Sequence, residues 1–87
     1  MMTQVSLYIK EECPYCKAAI QLLHDKGIKY TAISVYDMRP DERNELALRT
    51  NNHRTVPQIF IGETFIGGFD QLNKLNRNGE LDTMLGA

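Results

Sequence analysis

The chain has 87 residues, which reads as one domain over 1–87, near the lower limit of what an apolar core stabilises without disulfide or metal staples. Hydrophobic residues at 43% and charged residues at 24% exclude a disordered or low-complexity chain. Ten Lys plus Arg against eleven Asp plus Glu give a net charge of -1, which leaves no electrostatic footprint for nucleic acid or an anionic membrane. No apolar run approaches the ~20 residues of a membrane span, and Met1 to Gln4 lacks a basic segment leading into an apolar one, so a cytoplasmic location is expected.

Val5, Leu7 and Ile9 alternate with Ser6 and Tyr8, the period of a first strand, which the polar stretch Lys10 to Glu12 ends. From Pro14 the period becomes helical, with Cys16, Ala19, Ile20 and Leu23 on one face and Gly27 placed as a stop. Pro14 suits the first turn, where the missing N–H costs nothing. Ile28 to Val35 reads as a second strand, parallel to the first through a right-handed crossover. Pro40, Asp41 and Glu42 open a second helix running to about Thr50, with acids at its positive end and a thin apolar face. After the loop Asn51 to Arg54, the runs Gln58 to Ile61 and Thr64 to Ile66 flank Gly62-Glu63 and predict a hairpin. Gly67-Gly68 breaks the pattern. Asp70 reads as the N-cap of a helix through Leu72 and Leu75 that Gly79 ends, and Leu81, Met84 and Leu85 mark a short closing helix. The order βαβαββα, with a cysteine pair at the first strand-to-helix junction, predicts an α/β fold of the thioredoxin-like, three-layer kind, a four-stranded mixed sheet flanked by helices.

Two cysteines are too few for the disulfide framework of a small secreted domain and favour a redox or metal role in a reducing compartment. At the start of a helix the sulfur of Cys13 meets free backbone N–H groups and the positive end of the helix dipole, which favour the thiolate, with Lys10 and Lys17 close in sequence. Cys13 is the expected nucleophile. Cys16, one turn further on and on the face of Ala19 and Ile20, is expected to be covered and to remain a thiol, suited to resolving a mixed disulfide formed by Cys13. A structural bridge closing so short a loop contributes only ~2 kcal/mol, a poor reason for the pair. Zinc needs four ligands, and the chain adds only His24, His53 and carboxylates in no recognised spacing, so no metal is expected. His24 and His53 read as solvated side chains.

Three motifs then carry a resemblance: Cys13-Pro14-Tyr15-Cys16, Thr55-Val56-Pro57-Gln58 before an apolar strand, and Gly67-Gly68-Phe69-Asp70 opening a helix. Together, in order over roughly residues 4 to 85, they resemble a dithiol glutaredoxin of the small bacterial type. The resemblance implies a monomer that uses glutathione as co-substrate to reduce protein disulfides and glutathione mixed disulfides, ribonucleotide reductase being one candidate partner. It implies that Pro57 is a cis proline beside Cys13, that the backbone of Val56 pairs with the cysteine of glutathione like an added strand, and that Thr55 belongs to the same glutathione site. It further implies that Lys10 and Arg49 hold the glycine carboxylate and that Tyr15 lines the groove. The γ-glutamyl end would meet Gly68, Phe69, Asp70 and Gln71, where N–H groups at a helix start suit a carboxylate. The chain departs from the family at Asn52, where Gly is common, and at Gln71, where Asp usually reaches the γ-glutamyl ammonium; either Asp70 or Gln71 is left for that contact. Two other functions fit a cysteine pair of this kind: a redoxin reduced directly by thioredoxin reductase, and a glutathione-ligated iron-sulfur cluster carrier. The glutathione-site residues argue against the first and the stiffening Pro14 against the second.

Overall fold

The computed structural model describes residues 3–86; the reading of Met1 and Met2 as lacking a leader lies outside them. The elements are β1 (Val5–Ile9), α1 (Pro14–Asp25), β2 (Tyr30–Ser34), α2 (Pro40–Arg49), β3 (Gln58–Ile61), β4 (Thr64–Gly67), α3 (Phe69–Arg77) and α4 (Glu80–Met84). They build the thioredoxin-like arrangement, with sheet order β2-β1-β3-β4. β1 runs parallel to β2 with Leu7 opposite Ala32, and antiparallel to β3 with Leu7 opposite Ile59. β3 and β4 form the hairpin, with a bulge between Ile59 and Phe60.

Strand alternation decides the layers. Val5, Leu7, Ile59 and Ile61 point to one face, where Ala19 and Leu23 of α1, Leu72 of α3, Leu81 of α4 and Leu85 complete a continuous core. Tyr8 and Phe60 point to the other face and meet edge to face, with ring centroids 5.8 Å apart. There α2 supplies Leu46, its one buried residue, which shares a recess with Tyr8 and Ile33. The thin apolar face read from the sequence is therefore enough, because α2 covers a sheet face that aromatic rings already close.

Three boundaries differ from expectation, each for a local reason. β2 begins at Tyr30 rather than Ile28, because α1 ends in a Schellman turn: Gly27 takes φ +69°, its N–H bonds the His24 carbonyl at 3.0 Å and the Ile28 N–H bonds the Leu23 carbonyl at 2.9 Å. Ile28 is thus spent on the turn and packs against the core. At the other end, Val35–Asp37 leaves the strand as a 3-10 turn, with the Ser34 hydroxyl accepting the Tyr36 N–H at 3.3 Å. Finally, α3 starts at Phe69, so its N-cap is Gly68 and not Asp70. The cap bond comes from inside the helix, where Gln71 Oε1 accepts the Gly68 N–H at 2.9 Å. Between α2 and β3, Asn51 and Asn52 both take positive φ, 53° and 61°, so Asn52 adopts the left-handed conformation for which glycine is the commoner choice.

Candidate functional site

β1 delivers the chain to Lys10, whose carbonyl accepts the Cys13 N–H at 3.3 Å across a tight turn, and α1 begins at Pro14. Cys13 is therefore the N-cap, in extended conformation, and its Sγ accepts the Cys16 N–H at 3.1 Å. The sulfur thus takes one of the orphan N–H groups of the first turn and sits at the positive end of the helix dipole. Both cysteines are free thiols, Cys13 half-buried and Cys16 only 1% exposed. Burial first, then the hydrogen bond to Cys13, push the Cys16 thiol up to about 12 from an ordinary 9.0. The pair is thus asymmetric: one sulfur at the rim, one proton-bearing sulfur beneath it.

The residue before Cys13 is held from the neighbouring strand end. The Tyr36 hydroxyl donates to the Glu12 carboxylate, and this bond lowers the Glu12 carboxyl below its usual range while raising the Tyr36 phenol. Both groups are exposed.

Opposite α1 stands the segment leading into β3. The Val56–Pro57 peptide is cis, and the Val56 carbonyl lies 3.5 Å from Cys13 Sγ. From there a groove of about 360 Å3 runs between Tyr15, His53, Thr55, Val56, Pro57, Gly68, Phe69, Asp70 and Gln71. Tyr15, 64% exposed, faces Phe69 at 6.3 Å between ring centroids. Gly67, at φ +111°, lets the Gln71 side chain fold over it, since a Cβ there would stand 3.0 Å from three Gln71 atoms.

Eight of the residues singled out from the sequence thus come together along one groove. Lys10 and Arg49 are placed differently. Neither lines it, and Arg49 stands over the Phe60 ring at 4.4 Å from its centroid, beside the recess under α2. His53, read from the sequence as solvated, is half-buried instead. Its ring meets Phe65 edge on at 5.2 Å, its Nε2 lies 3.0 Å from Thr55 Oγ1, and its carbonyl accepts a bond of 2.7 Å from Gln58 Nε2. The one signal pointing to it was its place two residues before Thr55. The Gln58 side-chain oxygen, Oε1, is buried without a hydrogen-bond partner among the described residues.

A larger hollow, about 650 Å3, lies at the far end of α1 between Lys26, Ile28, Tyr30 and Leu85, and neither cysteine lines it. Among the described residues no group of three or more His, Cys, Asp or Glu converges to hold a metal ion, and no helix is long and apolar enough to cross a membrane.

Comparison with known proteins agrees with this geometry. The family model described as Glutaredoxin matches residues 5–66. A glutaredoxin of Pseudomonas aeruginosa is 46% identical over 86 residues, covering 99% of this chain and 100% of that protein. Glutaredoxin 3 of Escherichia coli K12 is 40% identical over 84 residues, 97% of this chain and 99% of that one. Among solved structures, the buckwheat glutaredoxin-glutathione complex superposes with a TM-score of 0.83 at 30% identity, covering 97% of this chain and 77% of that chain.

Proposed function

The chain belongs to the glutaredoxin family, and from that premise we propose that this thiol-disulfide oxidoreductase is glutathione-dependent, with Cys13 as nucleophile and Cys16 as resolving thiol. The observation that carries the reading is the position of Cys13 Sγ: at the cap of α1, taking the Cys16 N–H, and next to the Val56 carbonyl at the head of the groove.

With a glutathionylated protein, the Cys13 thiolate attacks the glutathione sulfur, the protein sulfur leaves as thiolate, and Cys13 holds glutathione in a mixed disulfide. A second glutathione thiolate attacks that glutathione sulfur, oxidised glutathione departs, and the Cys13 thiolate returns. With a protein disulfide, Cys13 attacks one sulfur and the other leaves as thiolate. Cys16 then attacks Cys13 Sγ and expels the first substrate sulfur. The proton held by Cys16 passes to a leaving thiolate, so substrate gains two electrons and the Cys13-Cys16 pair loses them. Two glutathiones restore the dithiol.

The groove supplies the recognition. The Thr55-Val56 backbone, just ahead of β3, offers strand-like hydrogen bonds to a tripeptide. The start of α3 offers backbone N–H groups to a carboxylate, those of Phe69 and Asp70, because the Gly68 N–H is taken by Gln71. Lys10 and Arg49 reach the glycine carboxylate in this reading only after their side chains leave the positions seen here, Arg49 from the face of Phe60.

Turnover of a glutathionylated peptide, followed with glutathione, glutathione reductase and NADPH, tests the proposal. Saturable turnover that disappears when another small thiol replaces glutathione is expected; equal turnover with both thiols overturns glutathione dependence.

A further inference from the structure

An anionic ligand in this groove meets an unusual lining. Among the described residues that line it there is no Lys or Arg, one acid, Asp70, and one side chain able to become cationic, His53. We propose that His53 is a ligand-contacting residue that offers a positive charge to a carboxylate of the bound tripeptide in mildly acidic solution, an inference that rests on the reading of the groove as a glutathione site.

The imidazole is held in place for such a role. Phe65 of β4 packs against its ring, Thr55 Oγ1 meets its Nε2 at 3.0 Å, and Gln58, itself 7% exposed, clamps its carbonyl from β3. A fixed ring loses little freedom when a ligand arrives. The groups that face it are few. Phe65 and Thr55 carry no charge, Tyr15 of α1 and Asp70 of α3 line the same groove, and Arg54, next along the chain, is exposed and does not line it. Arg49 does not line the groove and packs instead over the Phe60 ring, 4.4 Å from its centroid, and Phe60 in turn meets Phe65 at 46° with centroids 5.2 Å apart. Imidazole is the side chain whose charge ordinarily changes between about pH 5 and 8, whereas the ligand's carboxylates keep theirs across that range. Acidification therefore adds attraction on the groove wall while the carboxylates it acts on stay charged.

Calorimetric binding of S-methylglutathione, which has no thiol to react, isolates the contact from cysteine chemistry. Wild type, His53→Gln and His53→Lys are compared at about pH 5.5 and about pH 8, on either side of the ordinary imidazole range, at one ionic strength. His53→Gln keeps a partner for Thr55 but cannot charge, and His53→Lys is charged throughout. The expected result is several-fold tighter binding by wild type at the lower pH, a pH-independent affinity for His53→Gln equal to wild type at the higher pH, and tight binding by His53→Lys at both. The same pH response in wild type and His53→Gln, or none in wild type, overturns the role of His53 while leaving the glutathione site standing. No binding by any of the three proteins at either pH overturns the glutathione reading itself, and this inference with it.

Discussion

The two walls of the groove are built in opposite ways. The α1 wall, Cys13 to Cys16, is one turn of helix: its geometry comes from a proline at the first helical position, an N-cap sulfur and hydrogen bonds spanning three residues. The facing wall joins a loop, a strand start and a helix start, His53 to Pro57 and Gly68 to Gln71, which only the sheet brings together. One contact that joins the walls, Cys13 to Val56, spans 43 residues of sequence. Under the proposed function reactivity is local and recognition tertiary, which means that the two should be separable by mutation.

The largest effect should come from the local wall. Cys13→Ser is expected to abolish turnover of every disulfide, since Cys16 is buried and proton-bearing. Turnover assays on a glutathionylated peptide and on a protein disulfide check this, and residual activity on either would mean that Cys16 can attack from beneath the rim. Cys16→Ser should divide the two reactions instead, keeping removal of glutathione from the peptide and losing most reduction of the protein disulfide. Equal loss of both in the same assays would show that Cys16 does more than resolve.

The raised Cys16 thiol also makes a pH prediction. The folded state retains this proton up to about 12, whereas an unfolded chain releases it near the ordinary 9.0. Above pH 9.0 the unfolded state therefore binds fewer protons, and stability falls as pH rises from 9.0 to about 12, with no cost from this group at neutral pH. Urea midpoints along an alkaline series should decline more steeply for wild type than for Cys16→Ala. Parallel declines would place the alkaline sensitivity elsewhere.

Smaller effects should separate binding from chemistry. Leu72, fully buried, anchors α3 and with it half of the facing wall. Leu72→Ala should cost about 2–5 kcal/mol in denaturant unfolding. Binding of S-methylglutathione should weaken, while the rate at which iodoacetamide alkylates Cys13 in the folded protein stays close to wild type. A matching loss of Cys13 reactivity would mean that the walls are not independent. The smallest effect tests the cap of α3: Gln71→Ala should lower unfolding free energy by about 0.5–2 kcal/mol, and Asp70→Ala by less, because the Gly68 N–H bonds Gln71. The reverse order in urea denaturation would restore Asp70 as the cap.

The sequence alone determined the order of elements, the one-sided core of Val5, Leu7, Ala19, Leu23, Ile59 and Leu72, and the placing of Cys13 above Cys16, because these follow from periods of two and 3.6 residues and from caps acting within a single turn. The exits from those periods were less legible. Ile28, Val35 and Asp70 each satisfy a strand or cap preference, yet Schellman bonds, a serine-capped turn and Gln71 claimed the same backbone groups first. Only the tertiary structure decided which side chains share the groove. Arg49 packs over Phe60 and does not line the groove, and His53 stands on its wall, held by Gln58 and Phe65, both on the β3–β4 hairpin. No sequence spacing encodes these placements, since they depend on which faces of distant elements the buried sheet turns toward one another.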